Sequence, residues 1–322
     1  MKTERTLHID TLRGLACILL VAYHVVGDNQ LSGLQLSEGI LREVSDTLRY
    51  IRMPLFTFLS GVVYAYRPYN GDWQPYLKGK SRRLLLPMLT VGTFFAFVRS
   101  KTSTSDQAVI DWSTIHLYPV AHFWFVEAIF IIFLVMMLLE TINAFDRISK
   151  ALAVLFIAIV GFLTQNHIEL LSIGGATYLF PFFLTGMIWQ RYKQLAIKSP
   201  WISITLISVG VALLIPLSDL TPTRETRREP LALITGLIIC SGLLLSNFKL
   251  TWLAKVGVYS YSIYIFHVFF TATTRMALQK FGIYEKELIF LVGLFAGIAG
   301  PVAADLILTK STIARKLFLG KP

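Results

Sequence analysis

The sequence predicts an all-α, polytopic membrane protein of about ten transmembrane helices with both termini cytoplasmic. Three observations predict it. Of 322 residues, 55% are hydrophobic and only 15% are charged, where a soluble domain carries about a quarter charged residues. Apolar runs of about 18 residues or more recur along the chain, each long enough for a hydrocarbon core of about 30 Å. Finally, lysine and arginine are spread unevenly over the loops that join these runs.

The runs fall near 11–27, 48–66, 84–99, 120–140, 150–165, 176–191, 201–217, 230–247, 256–279 and 287–308. The first follows Met1–Arg13 directly and leads into Asp28 and Asn29. That pattern is a retained span rather than a cleavable leader with a small-residue cleavage site. Cys17 and Cys240 both sit inside apolar runs, as small core residues and not as a disulfide framework. With no internal repeat, low-complexity tract or appended soluble domain in view, the expectation is one membrane domain over 1–322.

Orientation follows from the loops. One side of the ten spans, including both termini, holds 19 of the 30 lysines and arginines and six of the 19 acids. An excess of lysine and arginine marks cytoplasmic loops. The net charge of +11 is therefore mainly a topology signal, and nucleic-acid binding falls away.

Residues 13–24, "RGLACILLVAYH", place ionisable groups at both ends of the first span. Eleven steps along a helix rise about 16 Å and turn three times plus about 20°, so Arg13 and His24 share a face. Cys17 and Leu20 lie on it too, and Asp10 is placed to pair with Arg13 at i, i+3. Ionisable groups inside spans are costly and by default suggest function. Two readings stay open for each end: Arg13 snorkels to headgroups or faces the interior, and His24 is an interfacial hydrogen-bonding residue or a functional one.

Read together with four other segments, this stretch resembles a known family. "RGLA" through His24 is similar to the opening of the acyltransferase 3 family of integral-membrane acyltransferases. "RMPLFTFLSGVVYAY" (52–66), "KSRRLLLP" (80–87), "HFWFVEAIF" (122–130) and "YSYSIYIFH" (259–267) are similar to later motifs of that family, in the same order. The resemblance implies transfer of an acyl group, commonly acetyl, from cytoplasmic acetyl-CoA to a hydroxyl of a cell-surface or envelope carbohydrate or glycolipid. It also implies residence in a bacterial inner membrane and an essential pair corresponding to Arg13 and His24. The basic motif departs from the family's common R-x-x-R, with Lys80 standing first and Arg83 last. Lysine lacks a bidentate fork.

Acyl transfer to a hydroxyl needs a base, and a neutral imidazole such as His24 accepts a proton near pH 7. Glu127, about two turns into the fourth span, is the carboxylate placed to fix its tautomer, or else it pairs structurally with Arg52, Arg275 or His122. CoA carries several phosphate charges. Arg67, Lys78, Lys80, Arg82 and Arg83 form one inner-loop cluster, which with Arg13 is either the donor's phosphate site or ordinary positive-inside topology. Arg52, His122, Trp124, Tyr264 and His267 are candidates for the acceptor side, each with a structural alternative: Arg52 an outer-loop cation, Trp124 and His122 an aromatic belt, His267 a buried hydrogen-bonding residue. Ser60-Gly61 suits close helix approach. No Gly-rich phosphate loop, Cys/His cluster or G-x-S-x-G elbow occurs, so no metal is expected. The alternative function is a multi-pass exporter of a small metabolite or glycan precursor, although the paired broken halves common in transporters are not seen.

Overall fold

The computed structural model describes residues 3–30, 32–102, 110–195, 199–220, 223 and 225–322. Lys2, Asp106, Lys198 and Arg224, which enter the charge tally, lie outside them. Among the described residues there are thirteen α-helices and no strand. They are α1 (Thr3–Val26), α2 (Ile40–Thr47), α3 (Arg49–Tyr64), α4 (Trp73–Thr102), α5 (Trp124–Thr141), α6 (Ile148–Leu163), α7 (Ile173–Arg191), α8 (Pro200–Ser218), α9 (Pro230–Leu245), α10 (Thr251–Val258), α11 (Ser260–Lys280), α12 (Lys286–Leu308) and α13 (Thr312–Leu319).

Nine of the ten predicted apolar runs each fall on one helix, but the span count is lower than ten. Among the described residues, six helices are long and apolar enough to cross a membrane: α4, α5, α7, α8, α12 and the Leu7–Val26 part of α1. A seventh is added if α10 and α11 count as one. The physical reason is length. Helices α3, α6 and α9 have 16 residues each, about 24 Å at 1.5 Å per residue, short of a core of about 30 Å. Helix α3 also carries Arg49, Arg52 and an internal Pro54. The predicted span at 256–279 is broken, with α10 and α11 meeting at an 80° bend.

A second correction concerns the basic cluster. Helix α4 has 30 residues and starts at Trp73, so Lys78, Lys80, Arg82 and Arg83 stand on a helix, not in a loop. At about 100° per residue, Lys78 and Arg82 share one face while Lys80 and Arg83 turn to another.

The chain forms two compact units. The first comprises Met1–Ala65 and Phe182–Asp305, the second Tyr66–Pro181 and Leu306–Pro322. In the first, α1 packs on α10 through two glycines: a Cβ on Gly14 would collide with the Leu253 carbonyl, and one on Gly257 with the Asp10 carbonyl. The same device joins α3 to the latter part of α7, where Gly61 faces the Phe183 carbonyl and Gly186 the Phe58 carbonyl. Close approach at Gly61 is what the Ser60-Gly61 pair suggested. Small residues let helix backbones come this near. Cys17 and Cys240 are buried free thiols.

In the second unit, α13 lies along α4. Thr90 Oγ1 donates to the Leu317 carbonyl at 2.7 Å, and Gly320, at φ 60°, closes over the Arg82–Arg83 backbone. Helix α5 docks on α4 where Tyr76 Oη donates to the Phe133 carbonyl at 3.2 Å.

Candidate active site

Helix α1 runs unbroken from Arg13 to His24, so the helical arithmetic holds along its whole length. Cys17 and Leu20 on that face are 0% and 2% exposed, while Arg13 and His24 are half-buried. Arg13 Nη1 stands 3.5 Å from Asp10 Oδ1, a long contact between partly exposed groups and worth at most about 1 kcal/mol. Most of its five N–H donors remain for an anion. The Gly14 requirement of α10 sits one residue on, so the "RG" pair joins a cation to a packing glycine.

At the other end, the ring of His24 lies 4.7 Å from that of His267, centroid to centroid, at an interplanar angle of 57°. His267 is on α11 and 0% exposed. Its Nδ1 is 2.8 Å from the Ile263 carbonyl and 2.9 Å from the Tyr264 carbonyl. Carbonyls only accept, so Nδ1 carries the proton, and the neutral ring has its lone pair on Nε2. The Tyr264 ring, 3% exposed, is 6.4 Å away.

Beside them, the Arg52 guanidinium lies over the Tyr23 ring, its Cζ 3.4 Å from the centroid. Its Nη1 donates to the Ser45 carbonyl at 3.2 Å. Arg52 is 5% exposed, a buried cation of α3 rather than a loop residue. Thus the first unit brings together Arg52, Tyr264, His267 and His24, and adds Tyr23, which sequence reasoning passed over.

The segment after α1 was also missed. It turns at Gly27, Gly33 and Gly39, with φ 100°, 58° and 103°, and folds back so that the Leu34 N–H donates to the Val26 carbonyl at 3.0 Å. Three cations hold its carbonyls. Arg42 donates to Gly27 at 2.9 Å while gripping Asp46 with two bonds of 2.8 Å. Arg275 donates to the Gly33 carbonyl, and Lys286 donates to that of Leu34 at 2.8 Å. The glycine spacing and the Arg42–Asp46 i, i+4 pair are the sequence signals that mark it.

In the second unit, Glu127 is 6% exposed and accepts from Ser172 Oγ at 2.6 Å. It stands in the first turn of α5, not two turns in, because the chain reaches the helix through a 3-10 turn at Ala121–Phe123. A carboxylate there is favoured by the helix dipole. Leu171 and Ser172 both adopt left-handed φ, 50° and 55°, a costly pair of conformations for side-chain-bearing residues that delivers the hydroxyl to Glu127. His122 is 6% exposed with its ring 5.4 Å from that of Phe95. Trp124 packs its ring against Gly175.

Of the basic residues, Lys80 places its ammonium over the Phe133 ring, 3.3 Å from the centroid, and 5.3 Å from that of Tyr76. Such cation–π contacts also suit structural lysines. Arg82 is half-buried, and Arg83, Arg67 and Lys78 are exposed. Among the described residues no group of three His, Cys, Asp or Glu is arranged to hold a metal ion.

Comparison with known proteins places this geometry in a family. Searches of curated proteins and of solved structures gave no match. A family model described as an acyltransferase domain matches residues 7–306, from the start of α1 nearly to the end of α12. It covers nearly the whole chain, including Arg13, His24, Arg52, Glu127 and His267. With its long apolar helices, this is an integral membrane protein, and the chain belongs to the acyltransferase 3 family.

Proposed function

We propose that this acyltransferase moves an acyl group, acetyl first among them, from cytoplasmic acyl-CoA to a hydroxyl of a cell-surface or envelope carbohydrate, with His24 as general base. The observation that carries the reading is the pair at the two ends of one unbroken helix, Arg13 and a half-buried His24 packed against a second imidazole. Family membership supports the reaction class. Cytoplasmic termini, expected from the lysine and arginine asymmetry over ten spans, would put donor entry at the Arg13 end.

The acceptor hydroxyl gives its proton to His24 as its oxygen attacks the thioester carbonyl. The carbon–sulfur bond then breaks, and the proton passes to the departing CoA sulfur. General-base catalysis of this kind contributes about 10²–10⁴-fold. Arg13 meets donor phosphate through its free N–H donors. The separation of about 16 Å between Arg13 and His24 gives the pantetheine arm its length, phosphates low and thioester high. Parts for Lys80, Arg82, Arg83 and Arg67 in donor binding rest on charge alone.

The test is transfer of labelled acetyl from acetyl-CoA by purified protein in nanodiscs, with thiol release followed in parallel. Labelled ester on a carbohydrate acceptor supports the reading. Neither transfer nor thiol release, together with counterflow of a solute in proteoliposomes, replaces it with an exporter.

A further inference from the structure

We propose that the His24 end of α1 carries an anion site: Arg227 and Arg49, with the Arg52 guanidinium stacked on Tyr23, receive a carboxylate or phosphate group of the acceptor and so hold its hydroxyl beside His24. The inference rests on the reading of His24 as the base and adds the charge class of the acceptor.

Three observations carry it. First, cations crowd one point. The charges of Arg52, Arg227 and Arg42 all reach the Tyr23 hydroxyl, against that of Asp28. The Tyr23 ring lies 4.8 Å from that of His24, centroid to centroid. Arg42 is already neutralised by Asp46, through two bonds of 2.8 Å. That leaves Arg52 and Arg227 facing one exposed carboxylate, Asp28. Second, among the described residues no ion pair holds Arg227 or Arg49. Third, Arg49 is 6% exposed and stands one turn before Arg52 on α3, on the same side of the helix. It donates through Nη2 to Tyr50 Oη at 3.1 Å and to the Leu220 carbonyl at 3.4 Å. Its Nε is buried and has no hydrogen-bond partner among the described residues. Leu220 and Arg227 belong to the same connection, between α8 and α9.

A guanidinium keeps its charge inside a protein, and burying a charge that nothing opposite neutralises is costly. An incoming oxyanion supplies the missing charge, and the planar fork of arginine fits the two oxygens of a carboxylate or phosphate. The purely structural use of cations is visible close by, where Arg42, Arg275 and Lys286 donate to backbone carbonyls of the Gly27–Gly39 segment. Among the described residues Arg227 makes no such bond. All these residues belong to the first unit. The anion takes no part in the proton transfer. It holds the sugar, while the hydroxyl proton goes to His24 and on to the leaving sulfur.

The experiment uses the full-length protein in nanodiscs of zwitterionic lipid, so that no lipid headgroup supplies a net negative charge. The probes are a hexuronate trisaccharide and its methyl ester, and a phosphorylated trisaccharide and its neutral parent. Binding is measured by calorimetry, and transfer of labelled acetyl from acetyl-CoA is followed in parallel. A charged probe should bind about tenfold more tightly than its neutral partner, with the preference shrinking as salt rises. Arg227→Gln should lower that preference about tenfold, whereas a merely loosened fold would weaken both members of a pair alike. Arg227→Lys, which keeps the charge and loses the fork, should fall between the two. Equal binding of charged and neutral probes by wild type overturns the proposal, whether or not the glutamine variant folds. So does an undiminished preference in Arg227→Gln. Charge-selective binding that depends on Arg227, without any acetyl transfer, upholds the site and overturns the transfer reading alone.

Discussion

The Arg52 guanidinium stacks on the Tyr23 ring with Cζ 3.4 Å from its centroid, one residue before His24. Arg52 also bonds the Ser45 carbonyl of α2, so it ties α3 to both α2 and the end of α1. Desolvated cation–π contacts are worth about 2 kcal/mol, and a planar guanidinium stacks as an ammonium does not. Arg52→Leu should lower the thermal midpoint in detergent and cut acyl transfer at least tenfold, with Arg52→Lys recovering less than half of the stability. Unchanged melting and transfer in Arg52→Leu would remove Arg52 from the account.

Gly14 and Gly257 form a second, purely steric test. Each faces a carbonyl of the opposite helix, and forcing a methyl into a packed contact costs about 1–3 kcal/mol. Gly14→Ala and Gly257→Ala should each destabilise by that amount in denaturation followed by circular dichroism. Because both act on one contact, the double variant should lose less than the sum. Additive losses would mean that the two glycines do not share an interface.

Ser172 donates to a buried Glu127 from a left-handed backbone. Removing the donor from a buried acceptor costs about 1–3 kcal/mol. Ser172→Ala should lose stability in that range, and Ser172→Thr, which keeps the hydroxyl, should lose less if the strained backbone admits it. Equal stability of Ser172→Ala and wild type would show that the bond contributes nothing net.

These elements also show how much was legible in the sequence. Periodicity and hydropathy located every long apolar helix because lipid demands continuous apolar surface, and Arg13, His24 and Gly61 stood out as costly or small residues. Hydropathy does not measure helix length, so α3, α6 and α9, with 16 residues each, were counted as spans. Nor could it see the 80° break before Ser260, since α10 turns away to meet Gly14 and the apolar pattern continues through the bend. The His24–His267 contact joins residues 243 positions apart, and no local pattern encodes it. The cations at 275 and 286 appeared as outer-side charges, while their carbonyl partners in the Gly27–Gly39 segment are backbone atoms, which carry no signature in side-chain chemistry.

Asp111 gives a pH prediction outside the spans. Hydrogen bonds from the Ser113 hydroxyl and N–H, then from the Thr114 hydroxyl, hold its carboxyl below the usual carboxylate range. With the folded value below the unfolded one, the ordering of this turn is complete above about pH 4 and is lost as pH falls through the folded value. Carboxyl ¹³C titration should give an Asp111 midpoint below that of a model peptide, and Ser113→Ala should raise it. An unmoved midpoint in Ser113→Ala would deny the hydroxyl its role.

The central claim is that His24 removes the proton from an envelope hydroxyl. Mass spectrometry of cell-envelope glycans from cells making wild-type protein or His24→Ala, at matched membrane levels, tests it most directly. An acyl group present on a carbohydrate hydroxyl with wild type and reduced at least 100-fold with His24→Ala is the predicted result. Identical acylation in both would contradict it.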